Sequence, residues 1–417
     1  MKIAKISKVL TCLITAALLA TSISGCSSNK KDTTSSQGKT TLTLWDYFEG
    51  VNSQQGLKDL TDSFNASQSN IVVKSVFYPR AELDKQLSIG LISANLPDLV
   101  LIDNCDYASY LSMGLFADET TNLTSKTFSD SLSQFYPGPL NSCKANGKYY
   151  GIPFGCNDLG FYYNKDMFSA AGISSAPTTW DEMTSDCAIL SKNGVFGMAI
   201  SAIGNDEGSF QFMPWLISTG ANYNNINSTG GIKSLQLVQD LVNKGYMSTE
   251  SINWTQADAE KQFATGKAAM MVNGPWNIAS VQTDAPKLNF GIVEVPKDQQ
   301  YASVIGGENM GIIKGHNEAA GWQFVQFTAN NELDYTNAMG YVPARKDASA
   351  KDTVLTSDPL TAPFVNILSY ASPRGPSAKW PAISTALYTA EQQVMLNKAT
   401  PAAAAKQAQD SIDSALK

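Results

Sequence analysis

Histidine is almost missing: the 417 residues hold one, His316. It stands in Lys314-Gly315-His316-Asn317, a turn-like stretch before a helical one, so a Ser-His-Asp triad would depend on a residue of an exposed linker. A zinc site of the usual kind is equally poorly served, because the six cysteines include no Cys-x-x-Cys pair. No Walker loop, no Gly-x-Gly-x-x-Gly and no His-Glu-x-x-His occurs, which removes common nucleotide and metalloprotease chemistries. No metal and no cofactor is expected. Charged residues make up only 16 % of the chain and the net charge is −7, a balance that argues against nucleic acid as a partner. Beyond the first 25 residues no apolar run reaches the length of a membrane span.

What is present starts at the N-terminus. Lys2, Lys5 and Lys8 form a basic region, Val9 to Ala20 form an apolar run too short to span a bilayer, and small residues lead to a cysteine. The stretch Ile23-Ser24-Gly25-Cys26 resembles a lipobox, in which the peptidase cuts before a cysteine whose sulfur carries diacylglycerol. The resemblance implies a signal peptide over 1–25, an acylated (palmitate-bearing) Cys26 as first mature residue, and a place on the extracytoplasmic face of the bacterial cell membrane. Two or three acyl chains, at about 0.8 kcal/mol per buried CH₂, hold a protein there far better than one. Residues 26–40 offer nothing apolar after the cysteine and read as a flexible tether.

A chain that is 43 % hydrophobic and this long exceeds what one core usually supports, so two domains are expected. Thr41 to Trp45 alternates like a strand, Leu57, Leu60 and Phe64 share a helix face, and Asn70 to Tyr78 is β-branched. Leu83, Leu87 and Leu91 mark a second helix, and Asp98 to Asp103 a buried strand. This β-α-β-α-β run predicts an α/β sheet with mostly parallel pairing. Thr179-Trp180-Asp181-Glu182 is a capping box whose helix should run to about Asn193-Gly194. Thr255 opens another helix ending near Gly266, Lys267 to Asn273 reads as a strand, and Pro401 opens the last helix.

Aromatic side chains crowd the turns: Trp45, Tyr47, Phe48, Tyr78, Tyr107, Phe154, Trp215, Trp254, Trp276, Tyr341 and Trp380. Flat sugar faces stack on such rings while hydroxyls seek acids and amides. Trp276 lies just past a strand in Asn273-Gly274-Pro275-Trp276-Asn277, and Trp380 follows the Pro-rich stretch Ser372 to Ser377; Trp180, in the first turn of a capped helix, reads as structural. Asp46, Asp103, Asp158 and Glu308 lie at strand ends or Gly-rich turns, which keeps open an alternative: a lipid-anchored glycoside hydrolase using paired carboxylates. Hydrogen-bonding or capping roles are the favoured reading of all four.

These segments carry a resemblance to the extracellular solute-binding proteins of ATP-driven (ABC) importers, in the sugar-binding group that includes maltose-binding protein. It rests on Leu44-Trp45-Asp46, Leu96-Pro97-Asp98-Leu99-Val100, Asn146 to Pro153, Tyr162-Tyr163-Asn164-Lys165-Asp166, Thr178 to Glu182, Asn273-Gly274-Pro275-Trp276, Gly306-Gly307-Glu308 and Gly340 to Arg345, in family order. The resemblance implies the two-lobe periplasmic-binding-protein-like (type II) fold, with lobes joined by a multi-segment hinge and the ligand cleft between them. Lobe one would take 41–153 plus 303–364, and lobe two 154–302 plus 365–417. Tyr149 to Pro153, Val295 to Val304 and the stretch around Phe364 to Tyr370 would be the crossings.

From family position Trp276 and Trp380 resemble a stacking pair on lobe two. Asp46, Asp103, Asn104 and Glu308 resemble lobe-one polar contacts; Asn157 and Asp158 follow the first crossing, beside Cys156, and Trp215 and Arg374 are further candidates. The implied protein is a non-enzymatic monomer that captures a carbohydrate, most simply an oligosaccharide, and passes it to the transmembrane permease subunits of an importer with a cytoplasmic ATPase. Cys105 and Cys143 would fall in lobe one and Cys156 and Cys187 in lobe two, so any disulfide is expected within a lobe, or absent.

Overall fold

Leu99-Val100-Leu101-Ile102 carries no polar residue because the strand is covered on both faces. Leu99 and Leu101 join Leu42, Leu44, Leu57, Leu60 and Phe64 in one core, and Val100 and Ile102 join Trp45, Leu83, Leu87 and Tyr107 in another. The computed structural model describes residues 39–417 apart from Pro376 and the side chains of Ser129 and Asp130. The expected signal peptide over 1–25, the expected lipid-bearing Cys26 and most of the expected tether over 26–40 lie outside the described residues.

Thirteen strands are described: β1 (Thr40–Asp46), β2 (Ile71–Phe77), β3 (Leu99–Asp103), β4 (Lys144–Ala145), β5 (Lys148–Tyr149), β6 (Gly151–Pro153), β7 (Gly160–Asn164), β8 (Phe196–Ala199), β9 (Ala268–Asn273), β10 (Phe290–Val293), β11 (Val304–Ile305), β12 (Glu308–Ile312) and β13 (Ser372–Pro373). Two larger sheets organise them, in the orders β2-β1-β3-β12-β6 and β10-β7-β9-β8. Each anchors one lobe. In the first, β1 pairs parallel with β2 and β3, as the β-α-β-α-β pattern predicts, through the helices Val51–Ser67 and Arg80–Ser93. The remainder departs from mostly parallel pairing. β12 runs antiparallel to β3 and β6, and β7 antiparallel to β9 and β10, because these strands are reached by the chain crossing between sheets rather than by a local helical return. β11 and β13 form a small parallel ladder at the crossings.

The predicted last crossing around Phe364 to Tyr370 is largely helical, Ala362–Leu368, and buries Phe364 and Ile367 beside Tyr162 and Phe290 of the second sheet; the paired strand comes later, at β13. The Thr179 capping box forms, with Glu182 at its third helical position, but its helix is Trp180–Leu190 and stops short of Asn193-Gly194. Those two residues, both at positive φ, make the turn into β8 instead. Thr255 caps Gln256–Ala264 and Thr400 caps Pro401–Leu416. Cys105, Cys143, Cys156 and Cys187 are buried free thiols. Among the described residues no helix is long and apolar enough to cross a membrane.

Candidate functional site

Strands β1, β2 and β3 end on the same edge of the first sheet, and antiparallel β12 begins there. Carboxyl ends of parallel strands leave a crevice where following loops and helix starts converge. Tyr47 to Gly50 follow β1, Arg80 opens the helix after β2, Asp103 ends β3 and caps the helix Asn104–Ser112, and Glu308 opens β12. From the other lobe come Asp206, Glu207 and Phe210 on the helix Asp206–Ser218, Gln256 and Ala257 at another helix start, and Trp276 and Asn277 just past β9. Together with Asn157, Gly307, Tyr341 and Arg374 they line a cleft of about 700 Å³, counting the solvent it opens to. That is room for a small ligand.

Trp276 is placed by its backbone. Tyr162 donates its phenol hydrogen to the Gly274 carbonyl at 2.6 Å, and the indole lies so close to Gly274 that a Cβ there would sit 1.9 Å from the ring. Only glycine leaves that space. The ring stacks on Phe210, with centroids 6.3 Å apart, and packs against the cores of both lobes. Gly307, at φ +116, is equally constrained, since a side chain would run into the Gly155 carbonyl at 2.2 Å.

A charged corner joins the two walls. Arg80 donates to Asp103 at 2.9 Å, to Asp106 at 2.8 Å and to Asp206 at 3.4 Å. Arg374 reaches Asp103 at 2.6 Å and also holds Asp206. Burial alone would push the Asp103 carboxyl up, but the guanidinium charges of Arg374 and Arg80 outweigh it and hold it at about 2. Asp103, Cys105 and Asp206 also place ligand atoms near one another, but the two arginines already neutralise these carboxylates, so the set is no metal site in waiting. Beside the corner, Glu308 takes the Tyr47 phenol on Oε1 at 2.8 Å, and its Oε2 has no partner. Burial first, then the Asp103 charge, pushes Glu308 up to about 7; burial does the same to Glu207, also to about 7. The side-chain nitrogens of Gln256 and Asn277 are likewise buried without partners at the cleft.

Of the residues expected from sequence, Asp103, Asn157, Trp276, Glu308 and Arg374 line the cleft. Five others do not. Trp380 is fully buried at the start of the helix Trp380–Met395, and its indole N–H donates to Asp206 Oδ1 at 2.6 Å: it supports a cleft carboxylate from behind rather than offering a ring to a ligand. Trp215 lies in the same core beside Trp180. Asp46 is buried and accepts from the Phe48 amide at 3.2 Å, which shapes the turn after β1. Asn104 gives its backbone N–H to Gly307 and contributes no side chain to the wall. Asp158 is fully buried with both oxygens unpartnered, outside the cleft lining. Of the four acids that the hydrolase alternative rested on, only Glu308 stands at the cleft without an ion pair, since Asp46 and Asp158 lie outside the lining and Asp103 is tied to two arginines. Sequence reasoning missed Arg80, Asp206, Glu207 and Gln256; their shared signal is a polar residue at a helix start on the sheet edges.

Two α/β lobes, crossings between them and a polar, aromatic-lined cleft at the join define a ligand-binding protein of the two-domain periplasmic kind. Residues 59–363 match the bacterial extracellular solute-binding proteins, and the chain belongs to that family, whose members bind a solute and are not enzymes. It is 25 % identical over 376 residues to the maltotriose-binding protein of Pyrococcus abyssi, covering 84 % of this chain and 77 % of that one. It is 22 % identical over 430 residues to the galactooligosaccharide-binding protein of Bacillus subtilis, covering 99 % and 98 %. Among solved structures, an ABC transporter solute-binding protein of Thermotoga lettingae bound with alpha-D-tagatose superposes with a TM-score of 0.82 at 23 % identity, over 91 % of this chain and 100 % of that one.

Proposed function

We propose that this solute-binding protein is a membrane-anchored receptor for a carbohydrate, most simply an oligosaccharide, which it delivers to the permease of an ABC importer. The observation that carries this reading is the cleft wall: an indole fixed over Gly274 beside unpartnered Glu308, Gln256 and Asn277 atoms, which is a stacking face with hydroxyl partners around it. The maltotriose, galactooligosaccharide and tagatose named for its relatives support the same ligand class. Asp103, Asn157, Trp276, Glu308 and Arg374 are the assigned contacts, with lobes drawn at 41–153 plus 303–364 and 154–302 plus 365–417. Ligand contacts on both walls would favour the closed arrangement, and only that preference can shift a hinge equilibrium.

A thermal-shift screen of the soluble chain against mono- and oligosaccharides tests the binding. A sugar at 100 times its Kd should add about 2.7 kcal/mol of stability. Failure of every saccharide to move the melting temperature would reject the carbohydrate assignment. Cys26→Ala tests the anchor separately, since it should release folded, ligand-competent protein from the membrane fraction.

A further inference from the structure

We infer that the cleft takes a sugar carrying a protonated amine, and that Glu308 is the group that reads it. This rests on the carbohydrate assignment above and narrows it. Five carboxylates and two guanidinium groups line the cleft. Both guanidinium groups are committed: Arg80 to Asp103, Asp106 and Asp206, and Arg374 to Asp103, Asp206 and the Ile305 carbonyl. Among the described residues, Glu49, Glu207 and Glu308 form no ion pair. Lys261, whose charge reaches Glu49, pairs with Asp258 at 3.5 Å and does not line the cleft.

Glu308 separates this from a mere acidic surface. It is 4 % exposed and faces the cleft with Oε1 bonded to Tyr47, the Tyr341 phenol beside the carboxyl, and Oε2 without a hydrogen-bond partner. A neutral hydroxyl could give that oxygen one hydrogen but would leave its charge buried and uncompensated. An ammonium supplies both hydrogen and charge. The rest of the ligand is a sugar rather than a simple amine because the unpartnered nitrogens of Gln256 and Asn277 are donors, suited to hydroxyl and ring oxygens, beside the Trp276 ring.

The test is calorimetry with matched sets of gluco-, galacto- and manno-configured mono- and disaccharides, each as the neutral sugar, the 2-amino sugar and the 2-acetamido sugar, on the wild-type chain and on Glu308→Gln. In at least one set the amine form should bind about tenfold or more tighter than its neutral counterpart, the scale of a charge-assisted hydrogen bond in a buried site. Glu308→Gln should bring that ratio close to one by weakening the amine form far more than the neutral sugar. Neutral or acetamido forms binding as well as the amine on wild-type protein would overturn the inference and leave the sugar receptor standing. An amine preference that survives Glu308→Gln would overturn the role of Glu308. No binding in any set would reject the carbohydrate assignment, and this inference with it. The wild-type comparison needs no variant, so a Glu308→Gln chain that fails to fold leaves the test intact; Glu207→Gln, on the opposite wall, then serves as the second variant, and should lower the amine preference without abolishing neutral binding.

Discussion

Asp103 and Glu308 face each other in register on β3 and β12, yet one carboxyl is held at about 2 and the other is pushed up to about 7. Both are buried, so burial does not distinguish them. The difference lies in their partners: Asp103 meets two guanidinium groups, whereas Glu308 meets the phenols of Tyr47 and Tyr341 and feels Arg80 only at a distance. A buried acid with its counter-charge built in completes the protein. A buried acid without one that also lines a cleft, as Glu308 does and Asp158 does not, is open to completion by a ligand.

That contrast can be broken first at its charged side. Arg374→Ala leaves Asp103 and Asp206 to share Arg80 alone in a buried corner, and removing one partner of a buried pair costs about 3 to 5 kcal/mol. Denaturant titration of unligated protein should register the loss; a change below about 1 kcal/mol would mean that water already screens the corner. Trp380→Ala should cost about the same 3 to 5 kcal/mol, as loss of a core indole does, and should also release Asp206 Oδ1.

The unpaired side is sharpened by pH. Glu308 binds its proton more tightly folded, at about 7, than at its ordinary value of 4.5, so between those values the native state holds more protons than the unfolded one. Its contribution to stability is then full below about pH 4.5 and declines as pH rises through 7, by on the order of 2 to 3 kcal/mol. Asp103 has the opposite sign: its contribution is present above its ordinary 3.8 and is lost as pH falls toward 2. Glu308→Gln should make the decline in apo stability between about pH 4.5 and 7 shallower, Glu207 with a similar shift keeping part of it; an unchanged profile would show that the carboxyl is already hydrated. The smallest expected effect is Trp276→Ala, which should weaken sugar binding by about 2 kcal/mol while costing less stability than Trp380→Ala. Intact affinity with a large fall in apo stability would move Trp276 from the cleft wall to the core.

Local patterns carried the first lobe's β-α-β-α-β run, because alternation and helical spacing are written in neighbouring residues. The capping box at Thr179 and the helix start at Thr255 were legible for the same reason. Trp380 was misplaced because the proline-rich stretch before it suggested a loop, whereas Pro381 sits in the first turn of a helix, where a missing N–H costs nothing. Arg80 and Asp206 were invisible for a different reason. They lie 126 positions apart, and a lone charge in a sequence looks like any surface residue until the fold brings its partner within 3.4 Å. Phe364 to Tyr370 shows the remaining limit, since a crossing between sheets has no period of its own and here a helix occupies much of it.

Asp206 touches Arg80, Arg374, Ser209 and Trp380, which makes it the least replaceable group in the cleft. Exposed Glu49 has no ion-pair partner, and the Gln256 side-chain nitrogen has no partner at all. Descendants of this chain can therefore change ligand by swapping the cleft residues that hold no ion pair while the corner stays fixed. Directed evolution toward a new sugar should accumulate its accepted changes at positions such as 49, 207, 256 and 277 and leave 80, 103, 206 and 374 untouched.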